Sequence, residues 1–179
     1  MYHFYYIYIL YCMNKYIAEV VYGGVDGLIT TFAIIAGSSG ANFSIKILLI
    51  ICISSIFADG FSMGVSSYLA ENVRINSKQN PYIVCIITFL SFIILGSLPI
   101  IPYIIKYINT NNTNNTNNTN NTIYITEPFY YSIFIMTILL FILGYIKGNI
   151  KGGFETVIIG GIATLISYII ANQLSKIKS

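Results

Sequence analysis

The feature that most limits what this chain can become is the length of its apolar runs. A helix rises 1.5 Å per residue, so about 20 apolar residues are needed to cross roughly 30 Å of hydrocarbon. Runs of that length recur over residues 18–41, 44–73, 81–106, 128–146 and 152–174. Only 8% of the 179 residues are charged and 56% are hydrophobic, whereas soluble domains carry about 25% charged residues. That balance argues against a water-soluble fold. The expected fold class is all-α, an integral membrane bundle of about five transmembrane helices forming a single domain over residues 14–179.

The punctuation between the runs sets the organisation. Asn42 and Phe43 alone separate the first two helices, which implies a tight turn. The second run exceeds what a bilayer requires, so its end, with Glu71, Arg74 and Lys78, should project into water before Asn80 and Pro81 start the third helix. Pro99 and Pro102 fall in the last turns of that helix and predict a kink near the membrane surface. Residues 109–122, NTNNTNNTNNTNNT, cannot bury enough apolar surface to fold and read as a disordered extramembrane loop. Its N-x-T patterns fit luminal glycosylation, or simply an expanded repeat without a selected role.

Residues 1–13 read as an N-terminal extension of uncertain status. They are apolar but lack the basic start and small-residue cleavage site of a signal peptide. Met13, followed by Asn14 and Lys15, is a candidate start, which N-terminal sequencing tests; His3, the single histidine, receives no role. Lys15, Arg74, Lys78, Lys147 and Lys151 fall on one side of the membrane, and Lys46, Lys106, Lys176 and Lys178 on the other. The excess orients the N-terminus to the cytosol and the Asn/Thr loop and C-terminus to the lumen or exterior. A net charge of +3 spread this thinly gives no nucleic-acid surface. Cys12, Cys52 and Cys85 lack the paired spacing of a zinc or iron–sulfur site and read as packing or lipid-facing residues.

Ionisable groups at membrane depth cost several kcal/mol unless paired or hydrated, so each is a functional candidate. Asp26 and Asp59 are the two clear cases, and neither has a lysine or arginine beside it in its helix. A cation is the natural missing partner, because oxygen ligands suit hard and borderline divalent metals. Met63 lies four residues after Asp59 on the same helical face, and a thioether favours a softer ion such as Fe²⁺ or Mn²⁺. Alone, such a methionine reads as plain packing. Gly23 with Gly27 and Gly60 with Gly64 form small-xxx-small patterns that would bring helices, and hence the two aspartates, together; a simple packing face needs the same pattern. Thr30, Ser62 and Ser66 could add oxygens or bond back to their own helices. Glu19 and Glu71 are expected near the cytosolic interface in water, with Glu71 the weakest candidate for a metal ligand, and Glu127 and Glu155 fit helix starts.

Three motifs, VYGGVDGLITTFAIIAG, then ADGFSMGVSSYLA, and later VIIGGIATLISYII, resemble the first, second and fifth helices of the vacuolar iron transporter family. The middle helices match only in hydropathy. The resemblance implies a homodimer that passes divalent metal between helices lining the dimer interface in exchange for protons. Asp26 matches the family's helix-one carboxylate and Met63 its helix-two methionine. Asp59 falls at a position where members differ, so its role rests on the physical argument. The resemblance also marks two departures. Better-known members carry a Glu-rich cytosolic metal-binding domain between helices two and three, where this chain has only residues 74–80, and Ser55 stands where some members have a further carboxylate.

The expected function is therefore export of Fe²⁺ or Mn²⁺ from the cytosol by proton antiport, for metal homeostasis. Its partners would be metal, protons, membrane lipid and a second copy. The metal is substrate, with no resident cofactor. The membrane would be vacuolar or another endomembrane in a eukaryote and the plasma membrane in a prokaryote. No His cluster or nucleophile–base pair points to an enzyme. Two rivals remain. A proton-coupled carrier of a small organic cation would use Tyr22, Phe32 and Phe61 as a cage, and metal would then fail to compete for transport. A non-transporting scaffold predicts that Asp26→Asn and Asp59→Asn leave the phenotype intact while Gly60→Leu disrupts assembly.

Overall fold

The computed structural model describes residues 2–75, 79–114 and 126–177. Lys78, Lys178, residues 115–122 and the side chains of His3, Cys12, Glu127 and Lys147 lie outside what is described. Helix α1 runs over Tyr2–Gly40, α2 over Ile45–Val73, α3 over Pro81–Ser97, α4 over Ile101–Asn114 and α5 over Thr126–Ile177, and no strand occurs among the described residues. Gly148 and Asn149 leave helical geometry, Asn149 with a φ of 60°, and divide α5 into two arms. Five segments are long and apolar enough to cross a membrane: Lys15–Gly40, Ile45–Val73, Pro81–Thr110, Pro128–Ile146 and Gly148–Ile177. The all-α, five-span architecture expected from the apolar runs is the one observed.

The connections follow local chemistry. Asn42, at a φ of 55°, turns the chain after α1, and the Phe43 N–H closes on the Ser38 carbonyl at 2.9 Å. Ser44 and Asn80 cap α2 and α3 by accepting from the N–H groups of Ile47 and Tyr82. Pro99 lies in a single 3₁₀ turn, Leu98–Ile100, between α3 and α4, and its carbonyl accepts a 2.6 Å hydrogen bond from Ser132. One expectation is corrected here. Helix α4 continues into the Asn/Thr tract as far as Asn114, with Thr110 Oγ1 donating to the Lys106 carbonyl. Extending an existing helix fixes one residue per bond and avoids the nucleation cost that an isolated polar segment would face.

Helix α1 is the hub. A Cβ added at Gly27 would sit 2.6 Å from the Phe92 carbonyl oxygen, and one added at Gly96 would sit 3.0 Å from the Gly27 carbonyl, so α1 and α3 touch backbone to backbone. Further along, Gly37 and Gly40 admit Ser167 and Tyr168 of the second α5 arm, and Ser167 donates to the Ala33 carbonyl at 2.7 Å. Leu28, Phe32 and Ile35 then bury against Leu48, Cys52, Ile100, Tyr103 and Leu140. The outer side of the second α5 arm is a continuous apolar face, with Ile158, Ile159, Ile162, Ile166 and Ile169 exposed.

Gly27→Ala should lower the melting temperature in detergent. Overpacking against backbone costs about 1–3 kcal/mol, more than alanine's helix propensity returns. Gly161→Ala, whose Cβ meets nothing within 4 Å, should be neutral or slightly stabilising.

Candidate functional site

Asp26 lies on α1 and Asp59 on α2, each next to a glycine that packs on α3. Both are exposed on the single chain, while Met63 and Thr30 are half-buried and Ser62 and Ser66 exposed. The two carboxylates are close enough for the charge of Asp59 to act on Asp26. The route by which they meet differs from the expected direct glycine contact. Gly23 and Gly27 pack on Thr88, Ser91 and Phe92, and Gly60 and Gly64 pack on Phe89, Phe92 and Cys85, so both pairs face α3 rather than each other. Helix α3 packs on both α1 and α2, and both aspartates stay exposed.

Asp59 and Met63 are one helical turn apart on the same face. Neither aspartate forms an ion pair or hydrogen bond among the described residues, in contrast to Glu71, which pairs with Arg74. The described residues contain no group of three His, Cys, Asp or Glu side chains able to hold one ion. What a single chain holds here is Asp26 on α1 and Asp59 with Met63 on α2, donor types that a divalent metal takes.

Glu71 does not sit in water as its interfacial position suggests. It is 5% exposed and paired with the Arg74 guanidinium at 3.2 Å, which lessens the cost of burying its charge. At 1.5 Å per residue it lies about 18 Å along α2 from Asp59, outside the aspartate cluster. Glu19 departs in the same direction. It is half-buried, and one carboxylate oxygen is shielded from solvent without a hydrogen-bond partner. The signal for Glu19 was its spacing: two helical turns before Asp26, on the same face of α1.

Beside Glu19 the α2–α3 connection is fastened to α1. Gln79 Nε2 donates to the Lys15 carbonyl at 2.6 Å, and the Asn80 N–H donates to the Tyr16 hydroxyl at 3.4 Å. The Lys15 ammonium lies 5.3 Å from the centre of the Tyr16 ring. These contacts join residues 64 positions apart, and no local pattern announces them.

The family model described as the VIT family matches residues 17–77 and 71–172. Among curated proteins, a vacuolar iron transporter of Toxoplasma gondii is 42% identical over 57 residues, 32% of this chain and 19% of that protein. One of Plasmodium berghei is 36% identical over 63 residues, 35% of this chain and 23% of its own length. Vacuolar iron transporter 1 of Arabidopsis thaliana is 40% identical over 57 residues, 32% and 23% of the two chains. Each match spans about a fifth of the relative's length.

Tyr16→Phe removes the hydroxyl that accepts from Asn80 and should cost about 1 kcal/mol. Faster proteolysis within residues 74–80 of the variant, at unchanged cleavage elsewhere, checks it.

Proposed function

The chain belongs to the VIT family, and on that premise we propose that it moves a divalent metal ion, Fe²⁺ or Mn²⁺, across a membrane as substrate. The observation that carries the reading is the pair of aspartates within the apolar spans, within electrostatic reach of each other and without an ion-pair partner among the described residues. Two like charges in a medium of low dielectric repel and are poorly solvated, and a divalent ion between them removes both penalties at once. Met63 beside Asp59 biases the site toward an ion softer than Mg²⁺ or Ca²⁺. The relatives' printed name, vacuolar iron transporter, agrees with that chemistry.

A second copy is the natural source of the remaining donors. Asp26 and Asp59 are exposed on the single chain, and a two-fold interface on this face would present both residues twice. The proposed assembly is a homodimer with the metal path along α1 and α2 at its centre. A carboxylate that releases its ion can take a proton, which couples metal export from the cytosol to proton entry. The proposed setting is a vacuolar or other endomembrane, where the lumen supplies protons. Metal is cargo in this scheme and no catalytic group is required.

Uptake of Fe²⁺ and of Mn²⁺ into proteoliposomes under an imposed pH gradient tests the reading. Wild type should accumulate metal and slow when the gradient is collapsed. Asp26→Asn and Asp59→Asn should fall to background, and Met63→Ala should alter the ratio of the two ions. Uptake that persists in both aspartate variants, or that ignores the gradient, contradicts the proposed site or the proposed coupling respectively.

A further inference from the structure

Glu19 is an acidic group that the metal path proposed above leaves without a part. It stands seven residues before Asp26 on the same face of α1, about 10 Å toward the N-terminal side of the membrane. The side chain is half-buried, and its Oε2 is shielded from solvent without a hydrogen-bond partner. Lys15 lies one turn earlier, at the spacing where an ammonium and a carboxylate ordinarily meet on a helix. Among the described residues the two form no ion pair. The Lys15 ammonium lies over the Tyr16 ring instead, 5.3 Å from its centre, within the range of a cation–π contact.

The ring wins this competition because the rest of the fold holds it still. Tyr16 is 7% exposed, and its hydroxyl accepts from the Asn80 N–H at 3.4 Å while Gln79 Nε2 donates to the Lys15 carbonyl at 2.6 Å. The residues just before α3 therefore clamp the turn of α1 that carries both Lys15 and Tyr16, and the ring face is fixed where the ammonium reaches it. The alternative pairing is weak. A lysine four residues N-terminal to a glutamate is the less favourable order on a helix. An accessible ion pair gains little in solvent, whereas a cation on an aromatic face gains more as water is excluded.

We propose that the Tyr16 ring, by holding the Lys15 ammonium, keeps the Glu19 carboxylate unpaired as the first station for a divalent cation entering toward Asp26. The proposal rests on the metal-carrier reading given above. A carboxylate paired with an ammonium takes up an ion only by displacing it, so a Lys15–Glu19 pair would compete with every arriving ion. With Lys15 on the ring, the charge of Glu19 is available, and its partial shielding from water strengthens its attraction for a cation. Tyr16 and Lys15 are positioning residues in this arrangement, since they act on the ion only through Glu19.

Two measurements on the full chain in proteoliposomes test it: the KM and maximal rate of Mn²⁺ uptake, and carbodiimide cross-linking of Lys15 to Glu19 read by mass spectrometry. In wild type the cross-link should be scarce. Tyr16→Leu should raise its yield and raise the KM several-fold at a maintained maximal rate, and adding Lys15→Met should return the KM to the wild-type value. The conservative Tyr16→Phe, which keeps the ring, should retain the low KM. A Tyr16→Leu effect on KM that is the same with and without Lys15→Met marks a purely structural role and overturns the proposal. If Tyr16→Leu fails to fold, Glu19→Gln decides: its KM should rise several-fold, and an unchanged KM overturns the proposal, as does a ready Lys15–Glu19 cross-link in wild type. Wild type that moves no Mn²⁺ overturns the station role together with the metal-carrier reading, while the cross-link reports separately whether Tyr16 holds Lys15 off Glu19.

Discussion

Hydrocarbon offers no hydrogen bond and little screening, and the architecture can be followed from that one condition. Backbone groups must pair within each segment, so every described span is helical. Several hydroxyls inside the spans turn back to carbonyls, as Thr137, Thr156 and Ser97 do within their own helices and Ser132 and Ser167 do across helices. Glu71 meets the same requirement with Arg74. Asp26 and Asp59 form no such pair among the described residues, and as charged groups within the spans they are the centre of the functional reading.

The glycines decide what stands around those carboxylates. Notches on α1 let α3 approach on one side and the second α5 arm on the other, so α1 is held by backbone contact along most of its membrane length. Helix α2 reaches the same assembly through its own glycines and α3. The outcome is a scaffold in which α3 fixes the relative placement of the two aspartate-bearing helices while leaving their front face open. Further along α1, the two arms of α5 leave an apolar groove over Phe32, Ala36 and Ser39.

Much of this was legible in the residues. Run length identified all five spans because the bilayer imposes a length with little tolerance. Asp26, Asp59 and Met63 stood out because charge and sulfur are conspicuous in apolar helices. What remained hidden depended on tertiary position. A small-xxx-small pattern states that something approaches closely but not what, so the role of α3 behind both glycine pairs could not be read. The burial of Glu71 and Glu19 depends on neighbours brought in by folding, and the contact of Gln79 and Asn80 with Lys15 and Tyr16 joins distant parts of the chain. The helical start of the Asn/Thr tract was missed because its composition was judged apart from the helix it extends.

The central claim is that a divalent ion supplies the charge that Asp26 and Asp59 lack. Titrating Mn²⁺ into the full chain in nanodiscs, with the bound ion followed by electron paramagnetic resonance, addresses it directly. Wild type should show a protein-bound Mn²⁺ signal that saturates and that Fe²⁺ displaces, and a protein carrying both Asp26→Asn and Asp59→Asn should show free ion only. Equal binding by the doubly substituted protein would contradict the account.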